Sequence, residues 1–389
     1  MRQFGALAIA AVMSMASMRA CDAVLPVLSS DFDVPIGMTA WSISAFALAY
    51  GLMQLVYGPL GDRFGKLRVV SLALTGCAVA NVMAAVAPTM PALALARGLS
   101  GAAAAGVIPM SMAMIGDTVP VGDRQQVLAR FFLATIGGMI GGQWMSGLIA
   151  DWLHWRIVFW VLAAGSGVAA LVVRMQGSGM VSDLIARRSL WEQFRSVLGQ
   201  PRARLVFAVT AIEGLFTLTG FAFVPTYLHG RFGLGMGTAG AVMAMYGVGG
   251  LAYVALSGVL IRRLGSDALA ALGGALLGAA FAIVAVGPRW EWSVPGCFLG
   301  GLGFYMLHNT LQTQATEVFP PSRGTAVGLF AASLFLGQAL GMSGAAAVAG
   351  TLGERWLFAA AAVALPLLGM AFGGRLRTDG PRPRPGSLP

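Results

Sequence analysis

Charged residues are scarce in this sequence, and their scarcity decides its broad class. Only 10% of the 389 residues are charged, 57% are hydrophobic, and the mean hydropathy is +0.78. Soluble domains carry about 25% charged residues. A soluble fold of this composition would lack a surface that water can solvate, whereas lipid solvates apolar side chains directly. The composition therefore excludes an ordinary soluble protein and predicts a chain that lies mostly in a membrane.

Cysteine, histidine and lysine are also rare. The three cysteines, Cys21, Cys77 and Cys297, fall within apolar runs, so no disulfide framework is implied. The three histidines are scattered, and neither a G-x-x-x-x-G-K-[ST] phosphate loop nor an H-E-x-x-H metal motif occurs. These absences argue against an ATP-driven pump or a membrane protease. We expect no catalytic residue, no metal, no cofactor and no enzymatic activity.

Long apolar runs make up most of the chain. A transmembrane helix needs about 20 such residues, so the runs predict an all-α membrane protein with twelve transmembrane helices. The first run is interpreted as a helix and not as a signal peptide, because Arg19 and Asp22 stand where a cleavage site would lie. The runs cover approximately residues 4–28, 38–60, 68–88, 90–114, 126–150, 155–175, 205–228, 236–260, 267–287, 293–316, 325–350 and 354–374.

One connection is much longer than the others and divides the runs into six and six. It is polar and basic, and it is long enough for an amphipathic helix on the membrane surface. The C-terminal tail is rich in proline and arginine, a composition typical of disorder. The expected organisation is an N-terminal six-helix bundle at 1–175, a cytoplasmic linker at 176–203, a C-terminal six-helix bundle at 204–374 and a disordered cytoplasmic tail at 375–389.

Positive charges are distributed unevenly among the loops. The net charge is +10, which in a soluble protein would favour a nucleic-acid partner. With the N-terminus placed inside, 19 basic residues fall in cytoplasmic segments and 4 in outer loops. This asymmetry follows the positive-inside rule, so the charge indicates topology and no nucleic-acid binding. We expect a multi-pass protein of the plasma membrane, the inner membrane of a bacterium, with both termini in the cytoplasm.

The two halves of the sequence resemble each other at an offset near 200 residues. GPLGDRFG at 58–65 matches GVLIRRLG at 258–265 at four of eight positions. Pro120 matches Pro320, and the acidic residues Asp117 and Glu317 correspond. Matches at a nearly constant offset argue for duplication of a six-helix unit. Parallel repeats of this kind around a central site are typical of transporters.

The segment GPLGDRFGKLR at residues 58–68 matches the G-x-x-x-D-R-x-G-R/K signature of the major facilitator superfamily. The chain resembles that family over essentially its whole length. The resemblance implies two pseudo-symmetric six-helix bundles around a central cavity. It also implies a cytoplasmic gate motif that latches the halves together, formed by Gly58, Asp62, Arg63, Gly65 and Lys66. An ordinary basic loop that obeys the positive-inside rule is the alternative.

Arg19 and Asp22 are charged residues inside the first run. Their i,i+3 spacing places them on one helical face. The segment, which continues to Leu25 and Pro26, resembles the first-helix signature of drug:proton antiporters, in which an acidic residue precedes Leu-Pro. Asp22 is therefore a candidate proton or substrate carboxylate, with Arg19 as a coupling arginine. The alternative is an ion pair that only lets both charges insert into the membrane.

Arg97 lies in the fourth run, in an R-x-x-x-G setting completed by Gly101. Antiporters of the superfamily place an arginine in such a setting, so Arg97 is the second candidate coupling arginine. A charge at the bilayer centre costs at least about 2.5–3.5 kcal/mol on insertion scales. The alternative is a side chain that reaches the outer membrane interface while its stem stays in lipid.

Glu213 lies near the middle of the seventh run and has no charged neighbour in sequence. A buried carboxylate is costly when charged, so proton uptake is favourable there. It is the second candidate proton or substrate carboxylate. The alternative is a structural ion pair with Arg97 or Arg19 on another helix.

Polar and aromatic residues inside other runs are candidates for the lining of the cavity, although hydrogen bonding and packing between helices are the simpler interpretation. One of them, Gln143, departs from the antiporter pattern because it replaces the proline that those proteins usually carry in the fifth helix. The candidates are Gln54, Gln143, Trp144, Tyr227, Tyr246, His308, Asn309 and Gln312.

The resemblance implies secondary active transport, with proton-coupled efflux of small drug-like, hydrophobic or cationic molecules as the specific expectation. A uniporter or an exporter of a sugar or metabolite is the alternative, and a membrane receptor or channel is the competing class. The expected partners are a small-molecule substrate, protons and the lipid bilayer, and the chain is expected to be a monomer.

Overall fold

Helices make up nearly all of the described chain. The computed structural model describes residues 2–176, 190–319 and 322–378, so residues 177–189 of the expected linker and 379–389 of the expected tail lie outside it. A π-helical segment, Gly214–Leu218, joins α11 to α12. The helices are α1 (Arg2–Arg19), α2 (Leu25–Asp31), α3 (Ile36–Thr39), α4 (Trp41–Phe64), α5 (Lys66–Ala85), α6 (Met90–Ala104), α7 (Val107–Thr118), α8 (Val121–Trp152), α9 (Trp155–Arg174), α10 (Leu190–Leu198), α11 (Pro201–Glu213), α12 (Thr219–Phe232), α13 (Met236–Val286), α14 (Ser293–Glu317), α15 (Arg323–Thr351) and α16 (Arg355–Thr378).

Nine helical segments, counted over the described residues, are long and apolar enough to cross a membrane. One of them, Met236–Val286, has 51 residues and would be about 76 Å long as a single helix. That is more than twice the thickness of the hydrocarbon core, about 30 Å. Gly265 interrupts it with a non-helical φ of 74°, so α13 consists of two helices that meet there.

Gly65 and Gly265 stand at the same point of the sequence repeat. Their φ angles are 85° and 74°, in a region that glycine adopts readily because it has no Cβ. The chain therefore makes a tight turn at Gly65, between α4 and α5. The backbone repeats it 200 residues later, in agreement with the repeat in the sequence.

Four of the apolar runs, the first, second, fourth and seventh, are each divided between two helices. The first run breaks at residues 20–24 and the seventh changes to a π-helical turn after Glu213. The fourth is divided between α6 and α7 at Ala105 and Gly106, where the ring of Tyr57 occupies the space that a side chain at residue 106 would need. The Tyr57 hydroxyl also donates to the carbonyl of Ala103 at 3.1 Å.

The N-terminal helices (α1–α9) contact the C-terminal helices (α11–α16) mainly through two pairs, α8 with α13 and α4 with α15. Both pairs pack with backbones in close approach. A Cβ atom at Gly51 of α4 would lie 3.2 Å from the carbonyl oxygen of Ala332 in α15, and one at Gly147 would overlap the backbone of Met236. Small residues allow such approach between membrane helices, where packing is the main attraction.

Asp151 forms a polar contact between the two sets of helices. Its two carboxylate oxygens accept hydrogen bonds from the backbone N–H groups of Met236 and Gly237, each at 2.7 Å. These groups begin α13, whose preceding residue, Gly235, offers no side chain to cap them. The first N–H groups of a helix lack partners within it and attract negative charge. A carboxylate from the N-terminal helices thus caps a C-terminal helix.

We expect Asp151→Ala to lower the stability of the purified protein by about 1–3 kcal/mol, because it leaves two N–H groups of α13 without their acceptor. Thermal unfolding in detergent measures the change. Glu317→Ala is the control, since Glu317 is an exposed carboxylate at a helix end. Equal melting temperatures for the two variants would contradict a stabilising role for the Asp151 contact.

Candidate functional site

Asp22 and Arg19 form a buried ion pair in the break between α1 and α2. Arg19 Nη1 donates to Asp22 Oδ2 at 3.0 Å, and the two residues are 4% and 1% exposed. The second oxygen, Asp22 Oδ1, is buried without a hydrogen-bond partner in the described part of the chain. The guanidinium carbon of Arg19 also lies 5.9 Å from the ring centroid of Tyr246 in α13. The pair therefore sits where the two sets of helices meet, with one oxygen still available.

Arg97 is completely buried, so its side chain does not extend to the membrane interface. It donates to three backbone carbonyls: Nη1 to Ser17 at 2.8 Å, Nη2 to Met18 at 3.3 Å and Nε to Ser42 at 3.4 Å. Two of these carbonyls belong to the last turn of α1, where the break leaves them without intrahelical partners. Arg97 thus satisfies the end of α1 and holds the break that carries Asp22.

Glu213 is fully buried, and its partner in the structure is a histidine where an arginine had been the expected alternative. Its Oε2 lies 2.9 Å from Nδ1 of His308 in α14, while Oε1 has no partner among the described residues. The imidazole of His308 stacks on Phe304 with 4.8 Å between ring centroids. Glu213 ends α11, next to the π-helical turn at Gly214–Leu218. Such turns are frequent at functional sites.

A continuous series of contacts joins the ion pair in the α1–α2 break to the carboxylate of α11. Arg19 faces the ring of Tyr246, whose centroid is 5.7 Å from that of Phe304. Phe304 stacks on His308, which contacts Glu213. The structure therefore brings both candidate carboxylates into one cluster, to which the N-terminal helices contribute two residues and the C-terminal helices four.

The gate motif lies apart from this cluster, where α4 ends and α5 begins. Lys66 forms an ion pair with Asp117 of α7, within the N-terminal helices. Arg63 is exposed, and no described atom lies within 4 Å of a Cβ position at Gly58. The side chain of Asp62, on which the expected latch depends, lies outside what the structure describes.

The remaining candidates for the cavity lining occupy varied positions. Gln143 is buried in α8, and its amide nitrogen has no partner in the described chain. Its neighbour Trp144 is 45% exposed. Asn309 donates to the hydroxyl of Tyr253 at 2.8 Å, and Gln312 is exposed.

Tyr227 and Gln54 are not part of the buried cluster. Gln54 lies on α4 opposite α15. Tyr227 borders a surface cavity of about 530 Å³, which is also lined by Gly230, Arg231, Glu354 and Arg355. Fourteen residues separate Tyr227 from Glu213, which is about 21 Å of helix. The buried charges, and not this open cavity, therefore mark the candidate site.

Sequence reasoning named most members of the cluster but missed how they pair. His308 and Tyr246 were candidates for the lining, without a link to Glu213 or Arg19. The carbonyl partners of Arg97 carry no sequence signal, because every residue has a carbonyl group. Among the described residues there is no group of three or more His, Cys, Asp or Glu side chains that could hold a metal ion.

Comparison with known proteins identifies relatives along most of the chain. The family model of the Major Facilitator Superfamily matches residues 7–323. The MFS-type transporter YceJ of Bacillus subtilis (strain 168) is 26% identical, over 82% of this chain and 82% of its own length. The chloramphenicol resistance protein of Streptomyces lividans is 24% identical, over 86% of each chain.

Solved structures share the fold at low sequence identity. The crystal structure of the nucleoside transporter NupG superimposes with a TM-score of 0.77 at 15% identity, covering 97% of this chain and 100% of the other. The family and these neighbours are transporters and not enzymes. The chain is thus a multi-pass membrane transporter, and it belongs to the Major Facilitator Superfamily.

Proposed function

We propose that the chain is a proton-coupled exporter of small, drug-like molecules, hydrophobic or cationic, that works by alternating access. The observation that supports this most is the buried series of contacts from Asp22 to Glu213 through Arg19, Tyr246 and His308. Ionisable groups inside a membrane mark proton and substrate pathways. A cluster shared by both sets of helices allows a proton or a substrate to alter how the sets fit together.

The proposal includes twelve spans in two bundles of six. α1 with α2, α3 with α4, α6 with α7, and α11 with α12 each count as one span, while α13 counts as two that meet at Gly265. The 19-to-4 distribution of basic residues favours cytoplasmic termini. Relatives from Bacillus and Streptomyces favour the plasma membrane of a bacterium.

Glu213 is the group that we propose to carry the proton. It is buried, and one described neighbour, His308, contacts its carboxylate. Without water around it, the charged form depends strongly on that single contact. Proton uptake removes the charge and weakens the attraction to His308, so it changes the contact between α11 and α14. Asp22 is the second carboxylate, and Arg97 positions it by holding the end of α1.

The contacts between the two sets of helices favour a state that is closed on the outer side. Asp151 caps α13, and Gly37 lies against Ala346, near the ends expected to face outward. At the opposite ends no described atom lies within 4 Å of a Cβ position at Gly58 or Gly324. We therefore assign the structure to a cytoplasm-open state. Transport then requires the Asp151 contact to break as the bundles rotate.

Efflux of drug-like molecules draws support from the chloramphenicol resistance protein among the relatives. Chloramphenicol is accordingly the first substrate to test. The structural likeness to a nucleoside transporter keeps a metabolite carrier as the second candidate. A substrate flux that does not depend on the proton gradient would favour the metabolite carrier.

Glu213→Gln should abolish chloramphenicol transport driven by a pH gradient in proteoliposomes, with a loss of at least about 10-fold, because the amide cannot take up a proton. Exchange of labelled for unlabelled chloramphenicol without a gradient should persist. Asp22→Asn should also reduce driven transport, since it leaves Arg19 buried without its counter-charge.

Glu317→Gln is the matched control for both carboxylate variants, because Glu317 is exposed at the end of α14. It should transport like the unmodified protein. Full gradient-driven transport by both Glu213→Gln and Asp22→Asn would show that the coupling assignment is wrong.

Asp151→Asn should shift the population toward an outward-open state, because the neutral amide is a weaker cap for α13. Spin labels at Trp152→Cys and Trp292→Cys, both exposed sites, would report the distance between the outer ends of the two sets of helices. Double electron–electron resonance should show a longer mean distance in the variant. The native cysteines are replaced by alanine for this measurement.

Asp31→Asn is the control, because the contacts of Asp31 stay within the N-terminal helices. Trp155 Nε1 and Arg156 Nη1 each donate to it at 2.9 Å. Burial favours its protonated form, but these hydrogen bonds and the charges of Arg156 and His154 lower the pKa of the Asp31 carboxyl below its usual value. An equal shift of distance in both variants would show that Asp151 is not the specific contact.

A further inference from the structure

Two buried polar atoms with opposite hydrogen-bonding roles lie at the junction of the two sets of helices. Oδ1 of the ionised Asp22 accepts and Gln143 Nε2 donates, and neither has a partner in the described chain. Asp22 and Gln143 are 1% and 4% exposed. An unmet buried group of this kind costs about 1–3 kcal/mol. A bound molecule that supplies both a donor and an acceptor would form the two missing hydrogen bonds and offset this cost in free energy.

Gly240 of α13 shows how close the α1–α2 break, which carries Asp22, lies to α8, which carries Gln143. A Cβ atom there would lie 2.9 Å from the carbonyl oxygen of Gln143 and 3.5 Å from the Cβ of Ala23, the residue after Asp22. A Cβ at Gly142 would overlap the backbone of Ala16 in α1. The α1–α2 break, α8 and α13 therefore converge, and the two unpaired groups lie on elements that touch.

Positive charge exceeds negative charge at this junction, because Arg19 and Arg97 are accompanied by one carboxylate, that of Asp22. Asp22 is paired with Arg19, while Arg97 donates to three carbonyls and lies 4.4 Å above the ring of Phe46. An amidinium cation would add to the excess positive charge and has no acceptor for Gln143 Nε2, whereas a carboxylate has no donor for Asp22 Oδ1. An uncharged ligand that carries both a donor and an acceptor therefore fits better than either ion.

Aromatic side chains of the C-terminal helices adjoin the Arg19–Asp22 pair. Tyr246 faces Arg19, and its ring centroid is 6.1 Å from that of Tyr305 and 4.7 Å from that of Phe221. Aromatic rings of a ligand pack against such groups with offset or edge-to-face geometry. Binding sites for small molecules combine apolar surfaces with a few polar groups that fix the orientation of the ligand.

We infer that Asp22 Oδ1 and Gln143 Nε2 form a recognition site for an uncharged aromatic molecule that carries both a hydrogen-bond donor and an acceptor, such as a primary amide or a hydroxylated carbonyl compound. Gln143 then determines specificity by donating to the ligand's acceptor, while Asp22 accepts from its donor. The inference rests on the proposed transport function and narrows its substrate class. It moves the expectation away from cations toward neutral polar aromatics.

Three probes of nearly equal shape test the charge preference: benzamide, benzamidinium and benzoate. Binding to the full-length protein in detergent is measured by saturation-transfer NMR, with protein-free micelles subtracted. Benzamide should bind at least about 5-fold more tightly than either ion. Equal or tighter binding of benzamidinium or benzoate would overturn the inference. Because no gradient is applied, the result does not depend on whether transport is proton-coupled.

Variants of Gln143 test the residue assignment. Gln143→Leu should weaken benzamide binding about 5-fold, which is the change in dissociation constant expected for the loss of one hydrogen bond. Gln143→Glu replaces the donor by an acceptor, so it should reverse the preference toward benzamidinium. Gln338→Leu is the control, since Gln338 is a buried glutamine of α15 and is expected to leave probe binding unchanged.

The competing explanation is that Asp22 and Gln143 pair with each other once their side chains rotate. Gln143→Leu would then lower the melting temperature while benzamide binding stayed as in the unmodified protein, and this result would overturn the inference. If a variant fails to fold, Gln143→Asn, which keeps the amide on a shorter side chain, takes its place. It should retain the preference for benzamide over both ions with reduced affinity, and loss of that preference would count against the assignment.

Discussion

A polar group inside a bilayer has only the protein to interact with, and the broken first helix shows how strictly this holds. The break at residues 20–24 frees carbonyl groups at the end of α1, and the guanidinium of Arg97 takes two of them. If these carbonyl groups had no hydrogen-bond donor in the hydrocarbon core, each would raise the free energy of the folded protein by several kcal/mol. The break in turn presents Asp22 to the interior. One arginine therefore supports both the backbone and the position of a carboxylate.

The all-helical membrane architecture could be predicted from the sequence because the bilayer fixes the length of an apolar helix. Each predicted run contains helix, and Gly65 turns the chain where the motif placed it. The sequence repeat also reappears in the backbone at Gly265. These features depend on local composition or on a conformation that glycine favours, and both can be recognised in a single sequence.

The internal pairing could be predicted only in part. Asp22 and Arg19 are three residues apart, so their contact follows from helical spacing. The contact of Glu213 with His308 joins residues 95 positions apart, and that of Asp151 with the start of α13 joins positions 85 and 86 residues apart. Such pairs depend on which helices become neighbours, and an apolar run carries no signal about its neighbour. The close approach of Tyr57 to Gly106 escaped prediction for a similar reason, since Tyr57 belongs to another helix.

The π-helical turn at Gly214–Leu218 has a consequence for how this helix is compared with its relatives. Such a turn holds one residue more than the α-helical turn that it replaces. Side chains beyond it are rotated by about 100° relative to an uninterrupted helix. Counting in steps of three and four from Glu213 therefore assigns residues of α12 to the wrong face. An alignment with a relative whose helix lacks this turn would need a gap of one residue here.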